Sequence, residues 1–306
     1  MDLYELLDED RATIEDIIKN KSRYYLSYGV KKKRGKIRKI DAPQDKLIKI
    51  QQKILYKILY KYKPHPIAHG FVKNRNPKTN AEQHVGANTL ITLDIKNFFN
   101  SITINMVADT LTHLFDKRLP YETATSEDIP ILVELLTFRG KVPQGAITSP
   151  AISNLYMLPF DKQLKKFQKD NMVTITRYCD DIAISSRQDK VDAAEIIQKI
   201  TILLLRAHLR LNKTKTKVKR YYHRMRVTGI IVNEKINIPR ENWRNFRACL
   251  HHIQLTKEKP SELIMQQLRG YVEWVKTINP LRGKQFLEQY ERILNMPEKP
   301  SMTITT

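Results

Sequence analysis

The sequence predicts a mixed α+β fold, and three observations carry that prediction. Short β-rich runs at Leu90 to Ile95, Val173 to Arg177 and Ile182 to Ser186 stand among longer stretches with apolar residues at helical spacing. From Pro239 onward the pattern is helical throughout. At 306 residues and 41% hydrophobic, the chain has enough apolar material for a sizeable core. The length suggests about two domains of roughly 150 residues each, or one larger multi-lobed fold.

Taken in order, Leu47, Ile48, Ile50, Ile54, Leu55, Ile58 and Leu59 mark a helix over Lys46 to Tyr60, and Lys63-Pro64-His65-Pro66 breaks it. Gly70 to Asn80 is expected to be a polar loop. The strand Leu90 to Ile95 carries Asp94 at its end, and Ile104, Val107, Ala108, Leu111, Leu114 and Phe115 make an amphipathic helix. Asp116 to Ser126 is expected to be a connection, with Ser126 capping a helix to about Phe138. Ser149-Pro150 is a favourable start for one long helix to about Lys169.

Val173 to Arg177 and Ile182 to Ser186 flank Tyr178-Cys179-Asp180-Asp181, which suggests a hairpin. A helix is expected from Asp189 to His208, then short strands near Lys217 to Tyr222, Arg226 to Val232 and Ile236 to Ile238. Helices near Glu241 to Gln254, Ser261 to Lys276 and Leu281 to Leu294 close the chain. The division expected is an α+β body over residues 1–238 and a helical module over 239–306.

Charge narrows the partner. The 54 Lys and Arg outnumber the 32 Asp and Glu, leaving a net charge of +22. Between Asp16 and Asp41 no acid occurs, while Lys19, Lys21, Arg23, Lys31, Lys32, Lys33, Arg34, Lys36, Arg38 and Lys39 do. A second acid-free stretch between Glu195 and Glu234 holds Arg206, Arg210, Lys213, Lys215, Lys217, Lys219, Arg220, Arg224 and Arg226. Tyr24, Tyr25, Tyr28, Tyr221 and Tyr222 interleave with them. Basic stretches with stacking aromatics fit a polyanion with unpaired bases. Apolar runs as short as Ile202 to Leu205 cannot cross a bilayer, so no membrane association is expected. The acidic opening Met1-Asp2-Leu3-Tyr4-Glu5 lacks the basic start of a secretory signal. Two cysteines, Cys179 and Cys249, make neither a disulfide framework nor a zinc site. The cytoplasm is the expected location.

The chemistry-bearing residues are carboxylates. Asp94 ends an apolar strand, and Asp180-Asp181 sits in a predicted tight turn. Adjacent carboxylates repel, a cost that divalent cations offset, and Mg²⁺ commonly joins one or two carboxylates to substrate phosphates. Asp-Asp is also ordinary turn chemistry. Its surroundings decide between these readings. Leu93-Asp94-Ile95-Lys96-Asn97-Phe98-Phe99 resembles the first palm motif of reverse transcriptases, and Pro143-Gln144-Gly145 with Ser149-Pro150 resembles the second. Tyr178-Cys179-Asp180-Asp181 resembles the third and Leu211-Asn212-Lys213-Thr214-Lys215-Thr216 the fourth. Arg38-Lys39-Ile40-Asp41-Ala42-Pro43 and His69-Gly70-Phe71 resemble the fingers blocks. Two further elements, Asn80-Ala81-Glu82-Gln83-His84 and Val227-Thr228-Gly229, resemble those of bacterial retron reverse transcriptases, as does the tail through Gly270-Tyr271 and Asn279-Pro280.

The resemblance implies a right-hand polymerase fold, with fingers and palm over residues 1–238 and a small helical thumb over 239–306. It implies that Asp94, Asp180 and Asp181, with the Ile95 carbonyl, hold two Mg²⁺ ions. Arg38, Phe99, Gln144, Gly145 and Lys215 would form the dNTP site, with Phe99 excluding a 2′-OH and Lys215 a candidate proton donor to pyrophosphate. Asn80, His84, Val227, Thr228 and Gly229 would contact RNA. Members of the retron group copy part of a cognate structured noncoding RNA, beginning from a guanosine 2′-OH and leaving branched RNA-linked cDNA. They serve in defence against phage beside an effector protein. Cys179, in the variable place of Tyr-x-Asp-Asp, would be open to oxidation beside the ions. Rival readings are an intron-type or diversity-generating reverse transcriptase, an idle RNA-binding scaffold, and a two-metal nuclease. At this length no RNase H domain, maturase-like extension or endonuclease is expected beyond the thumb.

Overall fold

The computed structural model describes residues 2–31, 35, 37–116, 125–189, 191–256 and 258–297. Lys32, Lys33, Arg34 and Lys36 of the first basic stretch, and most of the connection expected over Asp116 to Ser126, lie outside these.

Two short helices open the chain, α1 (Leu3–Leu7) and α2 (Arg11–Lys19), the latter capped by Asp10 accepting from the Thr13 amide at 2.7 Å. A hairpin follows, β1 (Tyr25–Lys31) paired antiparallel with β2 (Ile37–Pro43), then α3 (Asp45–Lys57). Next come α4 (Pro77–Glu82), β3 (Thr89–Asp94), α5 (Phe98–Ser101), α6 (Ile104–Asp116) and α7 (Ile129–Leu136). The segment expected as one helix from Ser149 is two, α8 (Ser149–Tyr156) and α9 (Leu158–Asp170). Pro159 cannot donate to the carbonyl four residues back, so the first helix stops at Met157 and a second begins. The chain continues through β4 (Thr174–Tyr178), β5 (Asp181–Ser186), α10 (Ala193–Arg206), β6 (Lys217–Arg220), β7 (Arg226–Val227) and β8 (Ile230–Ile231). It closes with α11 (Arg240–Thr256), α12 (Glu262–Ile278) and α13 (Pro280–Leu294). Ile236 to Ile238, expected as a strand, contributes only an isolated bridge between Ile231 and Asn237. The loop expected over Gly70 to Asn80 gives way to α4, because Asn76 and Thr79 form a capping box ahead of Pro77.

Four strands make one sheet in the order β4-β5-β3-β6. As an inner strand β3 is apolar on both faces, with Leu90, Ile91 and Leu93 each 1% exposed, which explains its continuous rather than alternating run. No helix among the described residues is long and apolar enough to cross a membrane.

The chain forms two compact units. One comprises Met1–Asn74, Ile91–Ala183 and Asp192–Lys217. Its core joins Leu47, Ile50 and Ile54 of α3 with Leu3 and Leu7 of α1 and Leu132 and Leu136 of α7. The other comprises Arg75–Leu90, Ile184–Val191 and Val218–Thr306. There α12 packs on α13, α11 packs on α13, and Phe246, Tyr271 and Phe286 form an aromatic cluster with Phe246 at its centre. Compactness thus divides the chain along a different line from the functional division expected at residue 238.

Candidate active site

All three aspartates fall in the first unit. Asp94 ends β3 and is 7% exposed, while Asp180 and Asp181 stand at the turn between β4 and β5. The turn is tight because Cys179 takes a left-handed φ of +58°. The Ile95 amide donates to the Asp180 carbonyl at 2.9 Å, which fastens the end of β3 to that turn. Sheet pairing therefore brings together acids 86 positions apart in the chain.

Asp94 is held from a third side. Asn212 donates from its side chain to Asp94 Oδ1 at 2.9 Å and from its backbone to the Asp94 carbonyl at 2.8 Å. Lys215 Nζ lies 2.6 Å from Asp94 Oδ2. The hydrogen bond to Asp94, with the field of Asp180 and Asp181, raises the Lys215 pKa and keeps its ammonium charged. The acids across from it feel the reverse. Burial, with the charge of Asp94 adding, raises Asp180 against the pull of its own backbone amide and Lys215. Desolvation by the surrounding protein first, and then the charges of Asp180 and Asp94, raise Asp181 to about 6, although the residue as a whole is exposed.

Among the described residues no three His, Cys, Asp or Glu side chains converge into a ready-made metal cage. The donor chemistry nonetheless fits hard cations: crowded carboxylate oxygens whose ionised forms disfavour one another, with a single ammonium offsetting one of them. Cys179 is 8% exposed, and burial, with the neighbouring Asp180 charge, pushes its pKa up, which disfavours the reactive thiolate.

Of the residues expected at the dNTP site, Lys215 stands at Asp94, Gln144 and Gly145 lie against β2, Arg38 is on β2 and Phe99 is on α5. Asp41 of β2 donates its amide to the Gln144 carbonyl at 2.9 Å. A Cβ on Gly145 would stand 2.8 Å from Ile40 Cγ2 and 2.9 Å from the Asp41 carbonyl. Close backbone approach is therefore what glycine serves here. Arg38 is exposed on β2, opposite Val30 of β1. Asn97, at a φ of +51°, starts α5 and splits the two phenylalanines: Phe98 goes to the core at 3% exposure and Phe99 stays half-buried. The Phe99 ring centroid lies 6.4 Å from that of Phe71, an exposed side chain at φ +59°. Phe71 and Asn212 were not singled out from sequence for this site, although both lie inside motifs that were.

The expected RNA-contacting residues belong to the second unit, and the structure sorts them. Asn80 and His84 are each 1% exposed and Val227 is 2% exposed, so their side chains face inward and not toward a ligand. His84 Nδ1 pairs with Ser185 Oγ at 2.7 Å. Thr228 and Gly229 form a two-residue turn with φ of +47° and +83° between β7 and β8, half-buried and exposed respectively. Thr228 Oγ1 donates to the Pro77 carbonyl at 2.9 Å, so the two elements, far apart in sequence, meet. Arg224 and Arg226 both pair with Glu241, whose single negative charge offsets one of their two positive charges.

A strand-end aspartate fastened to an Asp-Asp hairpin on the adjacent strand is the arrangement expected of a reverse-transcriptase palm. The sequence matches the family described as reverse transcriptase (RNA-dependent DNA polymerase) over residues 30–232, and the chain belongs to that family. Within it the likeness is to retron reverse transcriptases. The chain is 33% identical to the retron Mx65 reverse transcriptase and 31% identical to the retron Mx162 reverse transcriptase, both of Myxococcus xanthus, matching over 89% and 87% of its own length. It is 29% identical to the retron Ec86 reverse transcriptase of Escherichia coli, over 83% of this chain and 77% of that one. The chain spans 64% and 60% of the length of the two Myxococcus relatives.

Proposed function

We propose that this chain is an RNA-directed DNA polymerase of the retron type. It copies part of a cognate structured noncoding RNA from a primer 2′-OH of that RNA, giving branched RNA-linked single-stranded DNA. The hydrogen bond between Ile95 and the Asp180 carbonyl carries the reading, because it fastens the Asp180-Asp181 turn to the end of β3, where Asp94 pairs with Lys215. Asp94, Asp180 and Asp181, with the Ile95 carbonyl, would hold two Mg²⁺ ions. When bound, such ions lower the pKa of the attacking hydroxyl and offset charge on the triphosphate.

The chain's own groups do the rest. Arg38 clamps the triphosphate with its guanidinium fork. Gln144 and Gly145 form the floor under the nucleotide. Phe99, braced by Phe71, excludes a ribose 2′-OH. Asn212 orients Asp94, and Lys215, held charged, gives a proton to the departing pyrophosphate. Residues 1–238 serve as fingers and palm and 239–306 as the thumb on template–product duplex. Thr228 and Gly229 are the parts of the retron-like elements that reach RNA, with Asn80, His84 and Val227 supporting them. The protein works in the cytoplasm beside an effector protein in defence against phage.

The test is co-expression with the noncoding RNA encoded beside the gene, followed by extraction of small nucleic acids. RNA-linked single-stranded DNA is expected from the wild type. The Asp180→Asn, Asp181→Asn double variant should yield none while still binding the RNA. Absence of product from both would leave an RNA-binding scaffold.

A further inference from the structure

Arg177 directly precedes the catalytic turn and is 0% exposed, as is Asp161 on α9. A guanidinium withdrawn from water needs partners for its donors, and here each of its three nitrogens has at least one. Nε and Nη2 fork onto the two Asp161 oxygens at 2.8 and 2.6 Å. Nη1 donates to Asn154 Oδ1 on α8 at 3.1 Å and to the carbonyl of Cys179 at 3.1 Å. Asn154 in turn donates to the Gly70 carbonyl at 2.9 Å, and Gly70 lies directly behind the turn. The backbone of Arg177 is also tied, its amide to the Ile67 carbonyl at 2.9 Å and its own carbonyl to the His69 amide at 2.7 Å.

Cys179 is the residue in left-handed conformation, so its peptide is where the turn stores strain and where relaxation would swing Asp180 and Asp181. One side chain grips the carbonyl of that residue and is itself locked to two helices. A buried ion pair is weak evidence for stability, because apolar replacements of similar volume often fold as well. Its value here lies in position. Resting on the polymerase reading above, we propose that Arg177, with Asp161 and Asn154 behind it, is a positioning residue that sets the catalytic turn and hence the places of Asp180 and Asp181.

The test uses the Arg177→Met, Asp161→Leu double variant, which removes both charges together. Melting temperature, amide hydrogen exchange of the peptide spanning residues 178–181, and single-nucleotide incorporation are measured. The expected result is a melting temperature near that of the wild type and turn amides exchanging about tenfold faster or more. With these, kcat falls about tenfold or more while KM for the dNTP stays within about twofold. Wild-type protection and kcat in a folded double variant would overturn the proposal. So would a fall in melting temperature with exchange rising equally across α8, α9 and β4, the mark of a purely structural role. If the double variant does not fold, Arg177→Lys decides. It keeps an ion pair with Asp161 but has no fork to spare for the Cys179 carbonyl. Its turn should loosen, and an unchanged turn overturns the proposal. Hydrogen exchange reads the brace whether or not the chain polymerises, so a wild type that incorporates no nucleotide would count against the polymerase reading alone.

Discussion

Gly70→Ala isolates the mechanical demand on the turn that carries Asp180 and Asp181. A Cβ at this position would stand 2.5 Å from the Cys179 amide nitrogen, 3.1 Å from the Tyr178 carbonyl carbon and 3.3 Å from the Tyr178 Cα. Ordinary contact begins at 3.4 Å, so the turn must retreat by about 0.9 Å, and the obstacle is backbone with no flexible end to swing aside. A displacement of about 1 Å in a catalytic constellation costs on the order of 100-fold in rate, which is about 2.7 kcal/mol of transition-state stabilisation. Single-turnover incorporation of one dNTP on a primed template is the assay, with melting temperature measured alongside. Gly270→Ala is the control, since an added Cβ there meets nothing within 4 Å. It should be neutral or slightly stabilising, by up to about 1 kcal/mol. A Gly70→Ala enzyme within threefold of the wild-type rate would refute the reasoning, for it would mean that the turn has slack its packing denies.

Phe99→Val should admit ribonucleotides, raising the rNTP-to-dNTP incorporation ratio about tenfold or more while dNTP incorporation persists. An unchanged ratio would return Phe99 to the core with Phe98. Without metal, the raised Asp181 pKa favours the protonated carboxyl in the folded protein. Its stabilising contribution is therefore full below the unfolded value of about 3.9 and is lost as pH rises through about 6. The melting temperature of the wild type relative to Asp181→Asn should fall across that window. Adding Mg²⁺ at neutral pH should raise it with concentration, and a flat difference profile would contradict the crowding of these acids. Replacing the exposed Lys217 and Lys219 with alanine should weaken RNA binding and reduce the log–log salt slope by about two, with melting unchanged. An unaltered slope would remove these side chains from the interface.

Legibility in the sequence followed the physics of each segment. Asp94 and Asp180-Asp181 were legible because carboxylates set among apolar β-rich runs are costly unless a cation offsets them, and the sheet does join them. The β1–β2 hairpin was not anticipated, because Leu26, Tyr28 and Val30 are all exposed and their strand shows no inward-facing alternation. The break at Met157 was legible in principle, since Pro159 stood in view inside a pattern read as one helix. Asn80 and His84 were a harder case. Polar residues in a motif suggest contact with a ligand, yet burial is decided by what packs over them, and Ser185 lies 101 positions from His84. The Arg177 network belongs to the same class. Its partners on α8, on α9 and beside Gly70 are spaced by tertiary packing that no local pattern encodes.

The bond from Thr228 to the Pro77 carbonyl has a practical corollary for engineering. A chimera that imports only the Thr228-Gly229 turn from a relative would seat it against a foreign α4, whose fit to β7 and β8 was shaped by different side chains. Under the RNA-contacting role proposed above for Thr228 and Gly229, redirecting the protein to another RNA calls for transplanting residues 76–84 and 226–231 as one paired cassette.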